Sequence, residues 1–235
     1  MSVIVTGACG GIGRAIADAF MASGSRVIGQ DLMPPADPAK FAGWISGDIL
    51  SEATQRALAE ASAETRLDVL VLAHGIAGSG AISTIESKTV RRIMEIDFES
   101  CVATTDVLAS ALRVGNGSLV VVSSQAGLVG EANNSIYCAA KFALIGWLRS
   151  THWDGIRPRA LCPGVTDTPL LQRALQGMSD AEGVPYEAVV QRRRDRTTVG
   201  RLGHPSDMAA AALWLAGLAT PGLVVAPVTG GEVVY

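Results

Sequence analysis

The sequence has little of what marks a nucleic-acid-binding, membrane, disulfide-stapled or metal-bound chain. Charged residues make up only 17% of the 235 residues, and the net charge is −3 at neutral pH. That leaves no basic field to hold nucleic acid and no polybasic stretch to meet an anionic membrane. No apolar run approaches the ~20 residues of a membrane span. The opening, Met1-Ser2-Val3-Ile4-Val5, lacks a charged lead-in to an apolar signal core. Cys9, Cys101, Cys138 and Cys162 are scattered with no CxxC pair, and read as reduced thiols of a cytoplasmic protein. His74, His152 and His204 lie far apart, so no metal site is expected.

What is abundant is apolar residue, at 49%, together with 26 glycines. This suits one compact, well-buried domain over 1–235. Short apolar runs at 2–6, 26–30, 68–73, 118–123, 159–162 and 223–228 read as strands, with a further short strand before Gly47. Several are apolar on consecutive positions, as when helices cover both faces of a parallel sheet. Helical patterns fall at 12–23, 52–64, 89–112, 136–150 and 206–218. Strand–helix alternation predicts an α/β, Rossmann-like doubly wound parallel sheet with right-handed crossovers. The segment 169–200 is a polar, arginine-rich insertion placed to cover a pocket at the strand ends.

The string Thr6-Gly7-Ala8-Cys9-Gly10-Gly11-Ile12-Gly13 sits where the first strand passes into the first helix. Gly7 permits a tight turn, Gly11 lets a diphosphate approach the backbone around Ile12, and Gly13 allows close helix–sheet contact. The helix N-terminus then offers unpaired N–H groups to the diphosphate. Asp31 ends the second strand, 18 positions after Gly13. A carboxylate there accepts bonds from ribose hydroxyls and repels a 2′-phosphate, which favours NAD over NADP. Leu32 and Met33 follow it, and Arg14, the competing signal, starts a helix and points to solvent. An ordinary turn role stays open for Asp31. Asp48, after the third strand, serves either the adenine amino group or a strand-end turn.

Ser124, Tyr137 and Lys141 stand in the spacing Ser-x12-Tyr-x3-Lys. Tyr137 and Lys141 are one helical turn apart and share a helix face. With these residues, the glycine string, Asp31, Asp48-Ile49, the stretch Pro163-Gly164-Val165-Thr166-Asp167-Thr168 and Gly200-Arg201-Leu202-Gly203-His204-Pro205, the chain resembles the short-chain dehydrogenase/reductase family nearly end to end. The resemblance implies an NAD(P)-dependent oxidoreductase acting on a small alcohol or ketone, usually as a homotetramer. It implies that Tyr137 is the acid/base, that Lys141 lowers its pKa and bonds the nicotinamide ribose, and that Ser124 holds the substrate oxygen. Pro163 and Gly164 line the cofactor, and Thr168 either reaches the nicotinamide carboxamide or caps a helix ahead of Pro169.

Three positions depart from the family pattern. Leu72-Ala73-His74-Gly75 stands where Asn-Asn-Ala-Gly is common: Gly75 keeps the turn, and side-chain support of the neighbouring strand is expected to be lost. Asp97 stands where an active-site asparagine is usual, and its carboxylate should favour the charged form of Lys141. The span from Lys141 to Pro163 is about one helical turn, ~4 residues, short, near a helix that commonly pairs subunits, so a dimer is as consistent as a tetramer. Gln125, Glu131, Asn133, Asn134 and Tyr186 are candidates for the pocket wall. Arg192, Arg193, Arg194 and Arg196 are either an anion-binding group or a solvated face offset by Glu182, Glu187 and Asp195. The alternative function is a nicotinamide-binding regulator or scaffold with impaired catalysis.

Overall fold

The computed structural model describes residues 1–62, 66–77 and 85–232. Among them seven strands form one parallel sheet: β1 (Ser2–Thr6), β2 (Arg26–Asp31), β3 (Gly43–Ser46), β4 (Val69–Leu72), β5 (Ser118–Val122), β6 (Arg157–Pro163) and β7 (Val224–Val228). Their order is β3-β2-β1-β4-β5-β6-β7, so the winding direction reverses between β1 and β4. In open α/β sheets that switch point opens a crevice beyond the carboxyl ends of the strands. The helices are α1 (Gly11–Ala22), α2 (Glu52–Ser62), α3 (Ser87–Met94), α4 (Ser100–Gly115), α5 (Ser135–Ser150), α6 (Pro169–Glu182), α7 (Tyr186–Arg194) and α8 (Pro205–Gly217). The end of the expected 52–64 helix, at 63 and 64, lies outside the described residues. No helix among the described residues is long and apolar enough to cross a membrane.

The strands are continuously apolar because both faces are covered, and alternate side chains feed different cores. Val3, Val5, Val69, Val71 and Val120 pack against Ile16 and Phe20 of α1 and Met208 and Leu215 of α8. Ile4, Leu70, Leu72, Leu119 and Val121 pack against Leu58 of α2, Leu108 and Leu112 of α4, and Leu144 and Leu148 of α5. Each fully buried side chain of this size contributes ~1.5–3 kcal/mol. The 169–200 segment folds as α6 and α7 around a small core of its own, Leu175, Val189 and Val190.

The pattern at 89–112 predicts one uninterrupted helix. Observed instead are α3 and α4 joined by a π-helical turn over Glu95–Glu99. A π turn inserts one residue without changing the apolar pattern on either side, so periodicity does not reveal it. Its effect is to bury Asp97 completely.

Arg159 shows how a charge enters this core. Its guanidinium donates to the carbonyls of Pro158, Leu215, Leu218, Thr220 and Gly222 at 2.7–3.1 Å. These include Leu215 in the last turn of α8 and Leu218 just beyond it, where the helix dipole favours a cation. Arg159→Met should therefore lower the unfolding free energy by ~3 kcal/mol or more, read by urea denaturation, because it removes five hydrogen bonds of a fully buried side chain at once. A loss below ~1 kcal/mol would contradict this account.

Candidate active site

The crevice is built from four strand ends. At the end of β1, Gly7 adopts φ +65, and a Cβ there would lie 2.6 Å from the His74 backbone nitrogen. A Cβ on Gly13 would lie 2.2 Å from the Gly7 carbonyl oxygen. On Gly11 it would lie 2.7 Å from Thr168 Cγ2. Gly10 precedes α1 with no side-chain cap, so the first-turn N–H groups of α1 point out of an open helix end. Asp31 stands beside this turn, its Oδ2 accepting from the Cys9 N–H at 2.9 Å and its Oδ1 from Met33 N–H at 3.4 Å. Arg14 is turned to Asp18 at 3.0 Å. These features fit a dinucleotide: a tight turn whose glycines leave no room for a Cβ, an anion-favouring helix end and a carboxylate at the second strand.

Beyond β5, Ser124 begins a short 3₁₀ turn over Gln125–Gly127, its hydroxyl accepting from the Ala126 N–H at 3.1 Å. Gly127 lets α5 come close: a Cβ there would lie 2.7 Å from the Lys141 carbonyl oxygen. Ser123 Oγ donates to that same carbonyl at 3.1 Å. This contact fixes α5 against the strand end and leaves Ser124, Tyr137 and Lys141 on the wall of one cavity. Lys141 Nζ lies 5.4 Å from the Tyr137 ring centre.

Asp97 completes the group. Its Oδ2 lies 3.3 Å from Lys141 Nζ, off the hydrogen-bonding direction, so the contact is one of charge. Oδ1 accepts from the Ile76 N–H at 2.8 Å. Gly75 lies against the pair, where a Cβ would stand 3.3 Å from Nζ and 3.4 Å from Oδ2. Burial works against the Lys141 charge, but the Asp97 carboxylate and then the Tyr137 phenol outweigh it, and the lysine is held above its ordinary range as a cation. Burial also raises the Tyr137 phenol above its ordinary range. Lys141 and the Ser124 bond pull it down, while Asp97 and Glu131 push it further up. Lys141 does pull the phenol down, as expected, but burial outweighs that pull, and Asp97 and Glu131 add to the rise, so the phenol stays above its ordinary range.

His74 corrects a second expectation. Its Nδ1 lies 2.6 Å from Thr6 Oγ1 and its Nε2 2.7 Å from Ser100 Oγ. Ser100 donates its own proton to the Ile96 carbonyl at 2.6 Å. The network thus assigns the proton to Nε2, with Thr6 donating to Nδ1. Burial and then the Lys141 charge push the imidazole down to about 3, so the ring is neutral. Side-chain support of the neighbouring strand is kept: histidine ties β1 to the π turn that carries Asp97. Nothing local in the sequence marks its two partners, which lie 68 positions upstream in β1 and 26 downstream at the start of α4.

A cavity of about 1050 Å³ opens over these groups. Its wall includes Ser124, Tyr137, Lys141, Asp97, Gly75, Pro163, Gly164, Thr168, Gln125, Glu131, Asn133 and Asn134. Tyr186 packs instead in the small core of α6 and α7. Thr168 caps α6 by accepting from Leu171 N–H at 3.2 Å, which leaves its O–H free to donate into the cavity. Asp48 is engaged locally, with Oδ1 accepting from Leu50 N–H at 3.0 Å and Oδ2 paired to Arg92 at 3.0 Å. An adenine contact would have to compete with both. Sequence reasoning passed over Arg173, which α6 brings to the cavity wall; its signal was its place on the helical face that also carries Leu170, Ala174 and Met178.

Comparison with known proteins agrees with this geometry. A sequence model described as short chain dehydrogenase matches residues 1–179. The cis-4-hydroxycyclohexanecarboxylate dehydrogenase of Sinomonas cyclohexanicum is 34% identical over 91% of this chain and 88% of its own length. A 2,5-dichloro-2,5-cyclohexadiene-1,4-diol dehydrogenase of Sphingobium indicum is 32% identical, with the same coverage of each chain. Among solved structures, an actinorhodin polyketide ketoreductase with NADPH superimposes with a TM-score of 0.89 at 26% identity, covering 98% of this chain and 96% of that one.

The carboxylate of Asp97 raises the phenol, so removing its charge should lower it. With Tyr186 and Tyr235 replaced by Phe, ultraviolet titration should show Tyr137 phenolate at lower pH in Asp97→Asn than in its parent. An unchanged or higher midpoint would contradict the assigned electrostatics.

Proposed function

We propose, from the premise that this chain belongs to the short-chain dehydrogenase family, that it transfers a hydride between NAD and a small secondary alcohol or ketone, with a cyclic carbinol preferred. The observation that carries the reading is the meeting of Ser124, Tyr137 and Lys141 in one cavity beside the open end of α1. Two relatives whose names specify ring alcohols support the cyclic preference.

In this reading Gly7, Gly11, Ile12 and Gly13 hold the diphosphate, Asp31 the adenosine ribose, and Gly75, Pro163, Gly164 and Thr168 the nicotinamide end. When bound, the nicotinamide supplies a hydride acceptor for oxidation and a hydride donor for reduction. Ser124 holds the carbinol oxygen and stabilises charge developing on it. Tyr137 takes the hydroxyl proton onto its phenolate oxygen in oxidation and returns it in reduction. Lys141 keeps a positive charge beside that phenolate. Asp97, buried behind Lys141, holds the ammonium where both can be reached. The helices α6 and α7 shield the reacting atoms from water. NAD is favoured over NADP because Asp31 offers a carboxylate where a 2′-phosphate would lie, and Arg14 is occupied by Asp18. A homo-oligomer is part of the reading: Val107 of α4 and Phe142 of α5 are exposed apolar side chains suited to a subunit contact.

A second reading, a nicotinamide-binding protein with weak or no turnover, draws on the raised phenol of Tyr137. Turnover separates the two. Oxidation of cyclic alcohols with NAD should be measurable, and Tyr137→Phe should reduce it ~10²-fold or more while NAD binding is kept. Thermal shift should favour NAD over NADP. Near-normal turnover in Tyr137→Phe would remove the acid/base assignment, and stronger stabilisation by NADP would remove the cofactor assignment.

A further inference from the structure

The cavity wall carries charges of both signs. Near Tyr137 stands Glu131, whose carboxylate accepts from Gln125 Nε2 at 2.9 Å and Asn134 Nδ2 at 3.0 Å, and which pushes the Tyr137 phenol up. Its charge would repel an anion attached next to the carbinol. The wall also carries Arg173 of α6, Arg193 of α7, which lies against Met178, Arg196 just beyond it, and Glu182. Its apolar members include Leu170, Leu171, Ala174, Leu175 and Met178.

The arginines of this segment are not equivalent. Arg192 is paired with Glu182 at 2.5 Å. Arg196 is paired with Glu232 at 2.7 Å. Arg193 is half-buried, and its contact is with Met178 Sδ at 3.8 Å, a weak acceptor. Among the described residues no carboxylate forms an ion pair with Arg193 or Arg173. A half-buried guanidinium without a counter-charge has lost hydration without a protein partner in return. Its planar fork matches a carboxylate in two-point contact.

We infer that Arg193, assisted by Arg173, is the carboxylate-binding end of the substrate pocket, so that the substrate is a hydroxy acid in which an apolar ring or chain separates the carbinol from the carboxylate. The inference rests on the dehydrogenase reading above for the position of the carbinol. It disfavours 2-hydroxy acids, whose anion would stand beside Glu131. A carboxylate rather than a phosphate dianion suits the single half-buried arginine and the neighbouring Glu182.

The test reads binding without chemistry. Cyclohexanecarboxylate, which has no carbinol to oxidise, is titrated calorimetrically into the NAD-saturated protein, with cyclohexanecarboxamide and cyclohexyl phosphate as comparisons. The acid should bind at least ~10-fold more tightly than the amide. Arg193→Gln should weaken the acid ~10–100-fold and leave the amide unchanged. Arg193→Lys should recover part of the loss. Arg194→Gln, on the same helix but away from the cavity wall, should have no effect. Equal binding of acid and amide, no binding of either, tighter binding of the phosphate, or equal losses in Arg193→Gln and Arg194→Gln would overturn the inference. Acid binding that depends on Arg193, without turnover of any alcohol, would uphold the inference and remove only the proposed reaction.

Discussion

The buried contact between Lys141 and Asp97 is the constraint from which the rest of the site follows. Both side chains are almost fully enclosed, at 4% and 0% exposure. Removing either partner would leave a charge uncompensated in the interior, which typically costs ~3–5 kcal/mol. Three pieces of chain must meet for the pair to exist: α5 brings the lysine, the π turn brings the carboxylate, and the residues after β4 supply the Ile76 N–H that holds it. Gly75 has no side chain because a Cβ would press on both charged groups. The His74 bridge from Thr6 to Ser100 anchors the π turn to the first strand of the sheet.

The same pair sets the electrostatic balance of the cavity. Asp97 holds Lys141 charged, and burial first, with Asp97 after it, keeps the phenol of Tyr137 high against the pull of Lys141. The positive charge of an oxidised nicotinamide is then the remaining force that could favour phenolate. Glu131 adds negative charge near Tyr137, and Arg193 and Arg173 add positive charge to the same cavity wall. The cavity thus carries charges of both signs on a partly apolar wall.

Much of this was legible in the sequence because it depends on local chemistry. The strands are runs of Val, Ile and Leu whatever their neighbours. The glycine string, with its turn, and the helical spacing of Tyr137 and Lys141 are short-range signals. What was not legible depends on which distant residue is a partner. The π turn leaves the apolar pattern of 89–112 intact, so the sequence does not reveal the turn that carries Asp97. His74 gains its role from Thr6 and Ser100, which only the sheet brings to it. Composition suggested that Glu182, Glu187 and Asp195 offset the arginines together. In the fold, Glu182 neutralises Arg192 and the distant Glu232 neutralises Arg196, while Arg193 and Arg194 have no ion pair among the described residues.

The chain's lysines are Lys40, Lys88 and Lys141, so the buried ammonium can be followed directly by nitrogen NMR on lysine-labelled protein. The account predicts that Lys141 keeps its proton above the ordinary lysine range, held there by Asp97 against the cost of burial. A Lys141 signal that loses its proton below that range would show that burial outweighs the carboxylate, and the proposed organisation of the site would not stand.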